Sequence, residues 1–219
     1  DYSQLEFRVA GFLAGDKRVY ADVREGTDVH SYTASIIGCT RQEAKAHTFK
    51  PLYGGTTGTE DQKRYYNDFK DKYMGIAIWH EVLQQDAVKY REISLPSGRV
   101  YAFPDARWTK YGTATHRTAI CNYPVQGFAT ADLLPIALVA LEKAVRDANI
   151  RSVICNTVHD SIVMDVHPDE KNICIDLMKH AMLSLPFETV RRYGIAYNMP
   201  VGIEIKAGKN WLDLHDVEL

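Results

Sequence analysis

Apolar residues alternate with polar ones at the start of the chain and then become continuous. The alternating positions are Tyr2, Leu5, Phe7 and Val9. The continuous stretch covers residues 11–13. Because alternation is typical of a strand and clustering is not, the pattern predicts a strand feeding a short helix over residues 1–14.

Two helices with capping signals are predicted next, over residues 28–37 and 40–53. Asp28 or Thr27 can cap the first helix, since short polar side chains accept hydrogen bonds from free N–H groups there.

The second predicted helix carries the more informative pattern. Thr40 is a good N-cap, and Glu43 completes a capping box. Pro51 lies inside the helix and is predicted to kink or end it. One face carries two cations and two aromatic rings at four-residue spacing: Arg41, Lys45, Phe49 and Tyr53. The alternative is an ordinary solvated or half-buried helix face, which seldom combines these residue types.

The middle of the chain is predicted to be mainly helical. Residues 60–92 form an apolar face from Tyr65, Phe69, Tyr73, Ile76 and Trp79. Residues 95–103 predict a hairpin around a Pro-Ser-Gly turn. Residues 115–131 give no clear prediction, and residues 131–149 predict a helix bent by Pro135.

The clearest strand signal covers residues 153–166, where two apolar runs flank His159 and Asp160. A tight hairpin there would expose Asp160 at a strand end. An amphipathic helix is predicted over 168–185, and a final strand and turn over 201–211. Since the strand signals lie towards both ends of the chain, the pattern indicates a mixed domain with an α-helical insertion.

Composition excludes several classes of protein. The chain has 219 residues, of which 46% are hydrophobic and 25% charged, so disorder, collagen and coiled coil are ruled out. No apolar run approaches the ~18 residues of a membrane-spanning helix. The four cysteines form no CxxC pair, which argues against a zinc ribbon or a disulfide framework. A net charge of −2 does not indicate nucleic-acid binding, so such a role must come from local clusters.

The chain lacks an initiator Met and opens on a core-like segment, so we expect a fragment of a longer chain.

The candidate chemistry comes from Asp1, Asp160 and the helix over 41–53. Two carboxylates from separate strands can hold two divalent ions about 3.5–4 Å apart, which activate one oxygen and neutralise a leaving phosphate. Arg41 and Lys45 can bind a polyphosphate in the same cleft, and the two aromatic residues that follow can pack on a sugar and a base. These are the parts of a nucleotidyl-transfer site in outline. Asp-bearing strand ends and basic helices are also common as purely structural features.

Six segments, in order, resemble family A DNA polymerases. DYSQLEFR at 1–8 is similar to motif A, RQEAKAHTFKPLYGG at 41–55 to motif B, and VHDS at 158–161 to motif C, which is usually HDE. The other matching segments are DVHSYTA at 28–34, NYPVQGFATAD at 122–132 and GIEIKAGKNW at 202–211. The resemblance covers essentially the whole chain, and FKPLYGG and NYPVQGFATAD look nearest to phage-type variants.

The resemblance implies a two-metal centre and a triphosphate site. Asp1 and Asp160 would ligate two Mg²⁺ ions, for which Mn²⁺ can substitute, and the Tyr2 carbonyl would be a further ligand. Lys45 and Arg41 would grip the triphosphate. Lys45 would also protonate the pyrophosphate leaving group.

The resemblance also implies contacts to the sugar, the base and the DNA. Glu6 would be the steric gate against a 2′-OH, Phe49 would pack on the sugar, and Tyr53 would lie by the templating base. The remaining expected contacts are His30 and Gln4 at the nucleotide, and Asn122, Gln126 and His159 at the primer–template.

Each of these residues has a structural alternative. Tyr2 could simply be a core residue. His30 could instead be a helix-cap histidine, Gln126 could satisfy buried backbone, and His159 could be a turn-former rather than a chemical base.

The chain departs from the family pattern at three places. Ser161 stands where motif C usually has Glu, so the family's extra carboxylate is missing there. Lys50 and Pro51 replace the commoner Gly-x after the motif B Phe. The chain begins at the catalytic Asp1 itself, so we expect it to lack the thumb and to bind DNA weakly, with little activity alone.

Together these observations predict an α+β fold, a polymerase palm of antiparallel sheet and helices with an inserted α-helical fingers subdomain. The palm is predicted over 1–25 and 115–219, and the fingers over 26–114. The predicted function is template-directed DNA synthesis in replication or repair, with primer–template DNA, dNTPs and upstream domains as partners. The expected location is the cytoplasm of a bacterial or phage-infected cell, on DNA and not on a membrane. The rival functions are a metal-dependent nuclease and a non-catalytic DNA-binding remnant.

Overall fold

The computed structural model describes residues 1–217 and contains helices together with three two-stranded antiparallel sheets. This mixture confirms the predicted α+β class. Contacts divide the described chain into a terminal unit, residues 1–5 and 129–217, and a central unit, residues 6–128. The predicted palm and fingers segments are a functional division and stay a prediction. The last two residues of the palm segment, 218–219, lie outside the described residues.

The central unit is built mainly from helices. They are α1 (Leu5–Ala14, whose first residue belongs to the terminal unit), α2 (Lys17–Arg24), α3 (Val29–Ile37), α4 (Arg41–Leu52), α5 (Glu60–Lys72), α6 (Met74–Tyr90) and α7 (Arg117–Gln126). Strands β1 (Glu92–Ser94) and β2 (Val100–Ala102) form the predicted hairpin around the Pro-Ser-Gly turn.

The predicted strand at the start of the chain is wrong. Only Tyr2 makes a β-bridge, to Ile203, and α1 already begins at Leu5. Leu5, Phe7 and Val9 are all buried. A helix that is buried on most of its sides loses its polar stripe, so its sequence imitates strand alternation.

The predicted caps of α3 and α4 are confirmed. The Asp28 carboxylate accepts a hydrogen bond from the His30 N–H at 3.0 Å, and Thr40 and Glu43 form the complete capping box. Helix α4 ends at Leu52, one residue after Pro51, as predicted from the missing proline N–H.

The region predicted as helical over 60–92 consists of two helices, α5 and α6, with a break at Tyr73 that the sequence does not predict. The first turn of α6 is capped from another part of the chain, since the buried Asp16 carboxylate accepts the Ile76 N–H at 3.0 Å. The Tyr73 ring packs edge-on against Phe69 and Phe7 in the core. This long-range cap and the aromatic packing explain a break that helix propensity does not show.

The terminal unit combines helices with two hairpins. Its elements are α8 (Leu134–Ala148), β3 (Val153–Val158), β4 (Ser161–Asp165), a 3₁₀ turn (Pro168–Glu170), α9 (Lys171–Leu183), α10 (Leu185–Tyr193), β5 (Lys206–Ala207) and β6 (His215–Asp216). The single helix predicted over 168–185 is thus a 3₁₀ turn and α9, and α10 was not predicted. A final strand and turn are predicted over 201–211; the strand part is limited to the bridge at Ile203 and the two residues of β5.

A π-helical segment, Gly127–Leu133, precedes α8. Pro135 has no N–H to donate to the carbonyl one turn earlier, so the helix is distorted before it, where the sequence predicts a bend. The stretch Arg117–Ala148 contains an 18-residue window of mean hydropathy 1.5, which by length and composition alone could cross a membrane. Since 56% of that window is buried inside the protein, the same pattern fits a core helix.

The base of the β3–β4 hairpin is held by Glu170. Its carboxylate accepts hydrogen bonds from the backbone N–H groups of Arg151 and Ser152, at 3.0 and 2.9 Å, and from the Ser152 hydroxyl at 2.6 Å. These bonds, led by the one from the Arg151 backbone, lower the pKa of Glu170 from 4.5 to about 2.

These hydrogen bonds to the Glu170 carboxylate predict a loss of folding stability in acid. The folded pKa of Glu170 lies below the unfolded value, so its contribution is complete above pH 4.5 and is lost as the pH falls towards 2. Urea unfolding between pH 6 and pH 2.5 measures it. We expect Glu170→Gln to flatten the acid limb of the stability profile, whereas Glu142→Gln, on the exposed side of α8, should leave that limb unchanged. An unchanged acid limb in Glu170→Gln would show that the ionised Glu170 carboxylate does not stabilise the hairpin.

Candidate active site

Asp160 lies at the tip of the β3–β4 hairpin, as predicted. Val158 pairs with Ser161, so His159 and Asp160 form a two-residue turn. His159 has a φ of 55°, the left-handed backbone that such tight turns need. The Ser161 hydroxyl donates to the Val158 carbonyl at 2.8 Å and so closes the turn.

Backbone pairing of residues 1–3 brings Asp1 next to this turn. Asp1 and Glu204 exchange two backbone hydrogen bonds of 2.9 Å, and the Ser3 N–H donates to the Gly202 carbonyl at 2.8 Å. Tyr2 therefore occupies a non-hydrogen-bonded position, so its own N–H and C=O point away from this partner segment. On that other side the Tyr2 N–H donates to the Asp160 carbonyl at 3.4 Å.

The Tyr2 side chain anchors this arrangement in the core. It is 3% exposed, and its hydroxyl donates to the Met182 carbonyl at 2.9 Å. Burial raises the pKa of Tyr2, so the ring stays neutral. Since side chains alternate along an extended backbone, an inward Tyr2 turns Asp1 and Ser3 towards the surface.

The carboxylate oxygens of Asp1 and Asp160 and the carbonyl oxygen of Tyr2 suit a hard divalent cation. Within residues 1–217, no group of three or more His, Cys, Asp or Glu side chains is arranged to hold a metal ion. Mg²⁺ is commonly bound through one or two carboxylates, with water and substrate phosphates supplying the other ligands. The carboxylates of Asp1 and Asp160, with the Tyr2 carbonyl directed to the Asp160 side, therefore fit Mg²⁺ once a phosphate ligand is added.

Sequence reasoning missed Glu204. As the paired residue opposite Asp1, it projects on the same side of the backbone pair, and it accepts a hydrogen bond from the Ser3 hydroxyl at 3.5 Å. The segment 202–211 was recognised from the sequence, but no local signal shows that Glu204 lies opposite Asp1.

In the central unit, α4 and the residue that caps its end carry the predicted basic–aromatic face: Arg41, Lys45 and Phe49 lie on α4, and Tyr53 is its C-cap. The Phe49 and Tyr53 rings stack with centroids 5.8 Å apart, which confirms that they share a side of the helix. Lys45 is half-buried on the same helix, and Arg41 is exposed.

Arg41 is held by a residue that the sequence identified only as a cap. Its Nε donates to the Asp28 carboxylate at 2.5 Å. Burial alone would raise the pKa of Asp28, but the hydrogen bonds from Arg41 and Ser31 outweigh burial and lower it. Asp28 therefore both caps α3 and orients the Arg41 guanidinium.

His30 is buried at the start of α3, with 6% of its surface exposed. Its backbone N–H is capped by Asp28, so the His30 side chain is not the cap. Its Nδ1 lies 3.2 Å from the Thr48 hydroxyl, and its ring packs 5.5 Å from the Phe49 ring.

The other predicted nucleotide contacts are Glu6 and Gln4. The Tyr53 hydroxyl donates to the Glu6 carboxylate, which joins the expected steric gate to the basic–aromatic face. Gln4 has a φ of 53° immediately before α1. A left-handed backbone in a residue other than glycine is a local strain of the kind found at functional sites.

The predicted DNA contacts lie on α7 and in the hairpin turn. Asn122 is half-buried, and its side-chain oxygen has no hydrogen-bond partner among the described residues. Gln126 is exposed near the end of α7. His159 is exposed in the turn, and its positive φ gives it the turn-forming role that was the structural alternative.

The chain matches a protein-family model and is similar in sequence to individual proteins of known name. The model of DNA polymerase family A matches residues 1–213. DNA polymerase I of Lactococcus lactis subsp. lactis is 29% identical over 235 residues, which cover 97% of this chain and 25% of that protein. The thermostable DNA polymerase I of Thermus thermophilus is 29% identical over 236 residues, covering 97% and 26%. The chain thus spans about a quarter of the length of these relatives.

A solved structure is similar over most of the chain. It is the POL domain of Pol1 from M. smegmatis in complex with DNA primer-template and dNTP. The match has a TM-score of 0.72 and 26% identity, and it covers 84% of this chain and 36% of that one.

Proposed function

The chain belongs to DNA polymerase family A, whose model matches residues 1–213, and we propose that it catalyses template-directed DNA synthesis. The primer 3′-oxygen forms a bond to the α-phosphorus of a dNTP, and the bond from that phosphorus to pyrophosphate breaks. The observation that carries the proposal is the Tyr2 N–H bond to Asp160, which brings Asp1 and Asp160, the two motif carboxylates, to one place.

In the terminal unit, Asp1 and Asp160 would hold Mg²⁺, with Mn²⁺ as a substitute, and the Tyr2 carbonyl would be a further ligand. When bound there, two such ions stabilise charge on the attacking and leaving oxygens. The buried Tyr2 ring fixes the backbone from which Asp1 projects. The closed hairpin turn fixes the backbone of Asp160.

In the central unit, the basic–aromatic face binds the nucleotide. Arg41 and Lys45 bind the triphosphate oxygens, and Lys45 gives a proton to the departing pyrophosphate. Phe49 packs on the sugar and Tyr53 lies by the templating base. The hydrogen bond from Tyr53 orients the Glu6 carboxylate as the steric gate against ribonucleotides.

The remaining residues contact the DNA or support these groups. Asn122, Gln126 and His159 contact the primer–template, and Gln4 supports the nucleotide region. The buried side-chain oxygen of Asn122, which lacks a partner within residues 1–217, is available to a donor on DNA.

We place this activity in replication or repair, within a longer polypeptide of a bacterial or phage-infected cell. Upstream thumb and exonuclease domains would be its partners in the same chain. The proposal is supported by relatives about four times as long as the matched region, of which the chain spans 25% and 26%.

The test is single-nucleotide extension of a labelled primer–template, with Mg²⁺ and one dNTP at a time, by the chain with its upstream region restored. Extension only by the nucleotide complementary to the template supports the proposal. Shortening of the primer without dNTPs would show a nuclease instead. Binding of DNA with neither reaction would show a non-catalytic remnant.

A further inference from the structure

Three buried hydroxyl groups connect α3, α4 and α5. They belong to Thr33, Thr48 and Tyr65, all with no exposed surface. The Thr33 oxygen lies 2.7 Å from the Thr48 oxygen and 2.6 Å from the Tyr65 oxygen. The Thr48 oxygen also contacts Nδ1 of His30 at 3.2 Å, so the imidazole lies at the end of a hydroxyl chain.

Each threonine hydroxyl has only one hydrogen, and carbonyl groups compete for it. Thr33 lies 2.7 Å from the Val29 carbonyl, and Thr48 lies 2.9 Å from the Ala44 carbonyl. A carbonyl oxygen can only accept. If both hydroxyls donated to these carbonyls, no hydrogen would remain between two threonine oxygens 2.7 Å apart. One of the two threonines must therefore donate to the other.

Both arrangements that satisfy this condition and also keep one of the two carbonyl bonds use up the Thr48 hydrogen. Thr48 donates either to the Ala44 carbonyl, while it accepts from Thr33, or to Thr33. In each case Thr48 has only a lone pair left for His30, so the hydrogen between them must come from Nδ1. An arrangement in which Thr48 donates to His30 leaves both carbonyl bonds unmade and has one hydrogen bond fewer in total.

The other ring nitrogen of His30, Nε2, is then the one that remains available to a ligand. Nε2 makes no hydrogen bond to any residue in the range 1–217, and it is not among the fully buried side-chain atoms that lack a partner. It therefore keeps contact with solvent. In a neutral imidazole protonated at Nδ1, Nε2 is an acceptor and cannot donate to a phosphate oxygen.

Charges from two elements act on this ring. Asp28, at the start of α3, favours the imidazolium, whereas Arg41 and Lys45, on α4, disfavour it. Tyr65 faces the hydroxyl chain from α5 and is neutral, because burial raises its pKa to about 12. Burial is the largest effect on His30 and lowers its pKa, so the ring without nucleotide is neutral near pH 7.5.

We propose that Thr48 is the positioning residue of His30: it holds the ring proton on Nδ1, so that His30 binds a nucleotide phosphate through Nε2 only after Nε2 takes up a proton from solvent. This inference rests on the proposed nucleotide-binding function. A triphosphate would supply the negative charge that makes the imidazolium stable. Nucleotide binding would thus be coupled to uptake of one proton at a defined atom.

The first test is the tautomer of His30 in the chain without nucleotide, read from the ¹⁵N shifts of its ring nitrogens near pH 8. We expect Nδ1 to carry the proton in the unaltered chain and in Thr48→Ser, which keeps the hydroxyl. In Thr48→Val, Nδ1–H has no acceptor, so we expect the proton to move largely to Nε2. The pKa of His30 should also fall by about one unit, because the imidazolium loses one hydrogen bond.

Tyr65→Phe is the matched control, since it removes a hydroxyl of the same chain but not the one that contacts His30. Its His30 tautomer should be unchanged. A proton on Nε2 in the unaltered chain would overturn the inference. So would a Thr48→Val chain, folded by its amide spectrum, whose His30 tautomer and pKa are unaltered. Should Thr48→Val fail to fold, the unaltered chain and Thr48→Ser still decide the tautomer.

The second test is binding of dATP with Mg²⁺ between pH 6 and pH 9. We expect the dissociation constant of the unaltered chain to rise by up to about tenfold per pH unit above the pKa of free His30, as one proton is taken up. In His30→Gln this dependence should disappear, apart from the titration of the nucleotide itself. Equal pH dependence in the unaltered chain and His30→Gln would overturn the phosphate role while leaving the proposed function intact. If the chain failed to bind dATP at any pH, the phosphate role and the proposed function would both fall.

Discussion

We expect Asp160→Asn to reduce primer extension by about a hundredfold to a thousandfold, on the scale of losing an electrostatic contact made in the transition state. The amide keeps the shape of the side chain but removes the charge that would hold Mg²⁺ in the proposed mechanism. The backbone role of Asp160, its carbonyl accepting the Tyr2 N–H, does not depend on the side chain and should persist. The measurement is the single-turnover rate of extension with saturating dNTP.

Asp165→Asn is the control for this substitution. Asp165 ends the same hairpin, is exposed, and pairs with Val153 away from the turn. We expect its extension rate to stay within about twofold of the unaltered chain. If Asp160→Asn extended primers as fast as Asp165→Asn, the carboxylate site would not be catalytic, and the pairing of Asp1 with Asp160 would be only structural.

The second large effect concerns stability, at the buried carboxylate of Asp22. The Tyr73 hydroxyl donates to it at 2.8 Å, and the Lys72 amine lies 2.8 Å from the same oxygen. Arg18 lies 2.8 Å from the other oxygen, although it is not aligned for a hydrogen bond. The Lys72 amine also lies 3.7 Å from the centre of the Tyr32 ring, so this cluster connects α2, α3 and α5.

We expect Asp22→Asn to lower the free energy of unfolding by about 3 kcal/mol, because removing one partner of a buried ion pair leaves the other charge uncompensated. Lys72 is the charge left behind, with 17% of its side chain exposed. Urea unfolding followed by far-UV circular dichroism measures the change. Asp71→Asn, beside Lys72 but exposed, should change the free energy by less than about 0.5 kcal/mol. Equal effects of the two substitutions would contradict a stabilising role for the buried cluster.

The features predicted correctly from the sequence are those set by neighbouring residues. The capping box of Thr40 and Glu43 and the end of α4 after Pro51 depend on hydrogen bonds within one helical turn. The hairpin that presents Asp160 depends on a two-residue turn between apolar runs. The common side of Phe49 and Tyr53 follows from helical spacing alone.

The wrong predictions share a different cause. The start of the chain was predicted as a strand because α1 is buried around much of its circumference and so shows no helical stripe. The break at Tyr73 was missed because the group that caps α6 is Asp16, far away in the sequence. In each case the deciding contact comes from outside the window in which a periodic pattern can be read.

The sequence by itself thus determined the family, the identity of the motif residues and the local elements that carry them. Only the tertiary structure decided which groups meet: Glu204 opposite Asp1, Asp28 on Arg41, and Thr48 on His30. Motifs and helix caps involve residues two to four positions apart, because regular backbone structure places the side chains at those spacings next to each other. A hydrogen bond between distant segments depends instead on how buried surfaces pack, and that packing is a property of the whole chain.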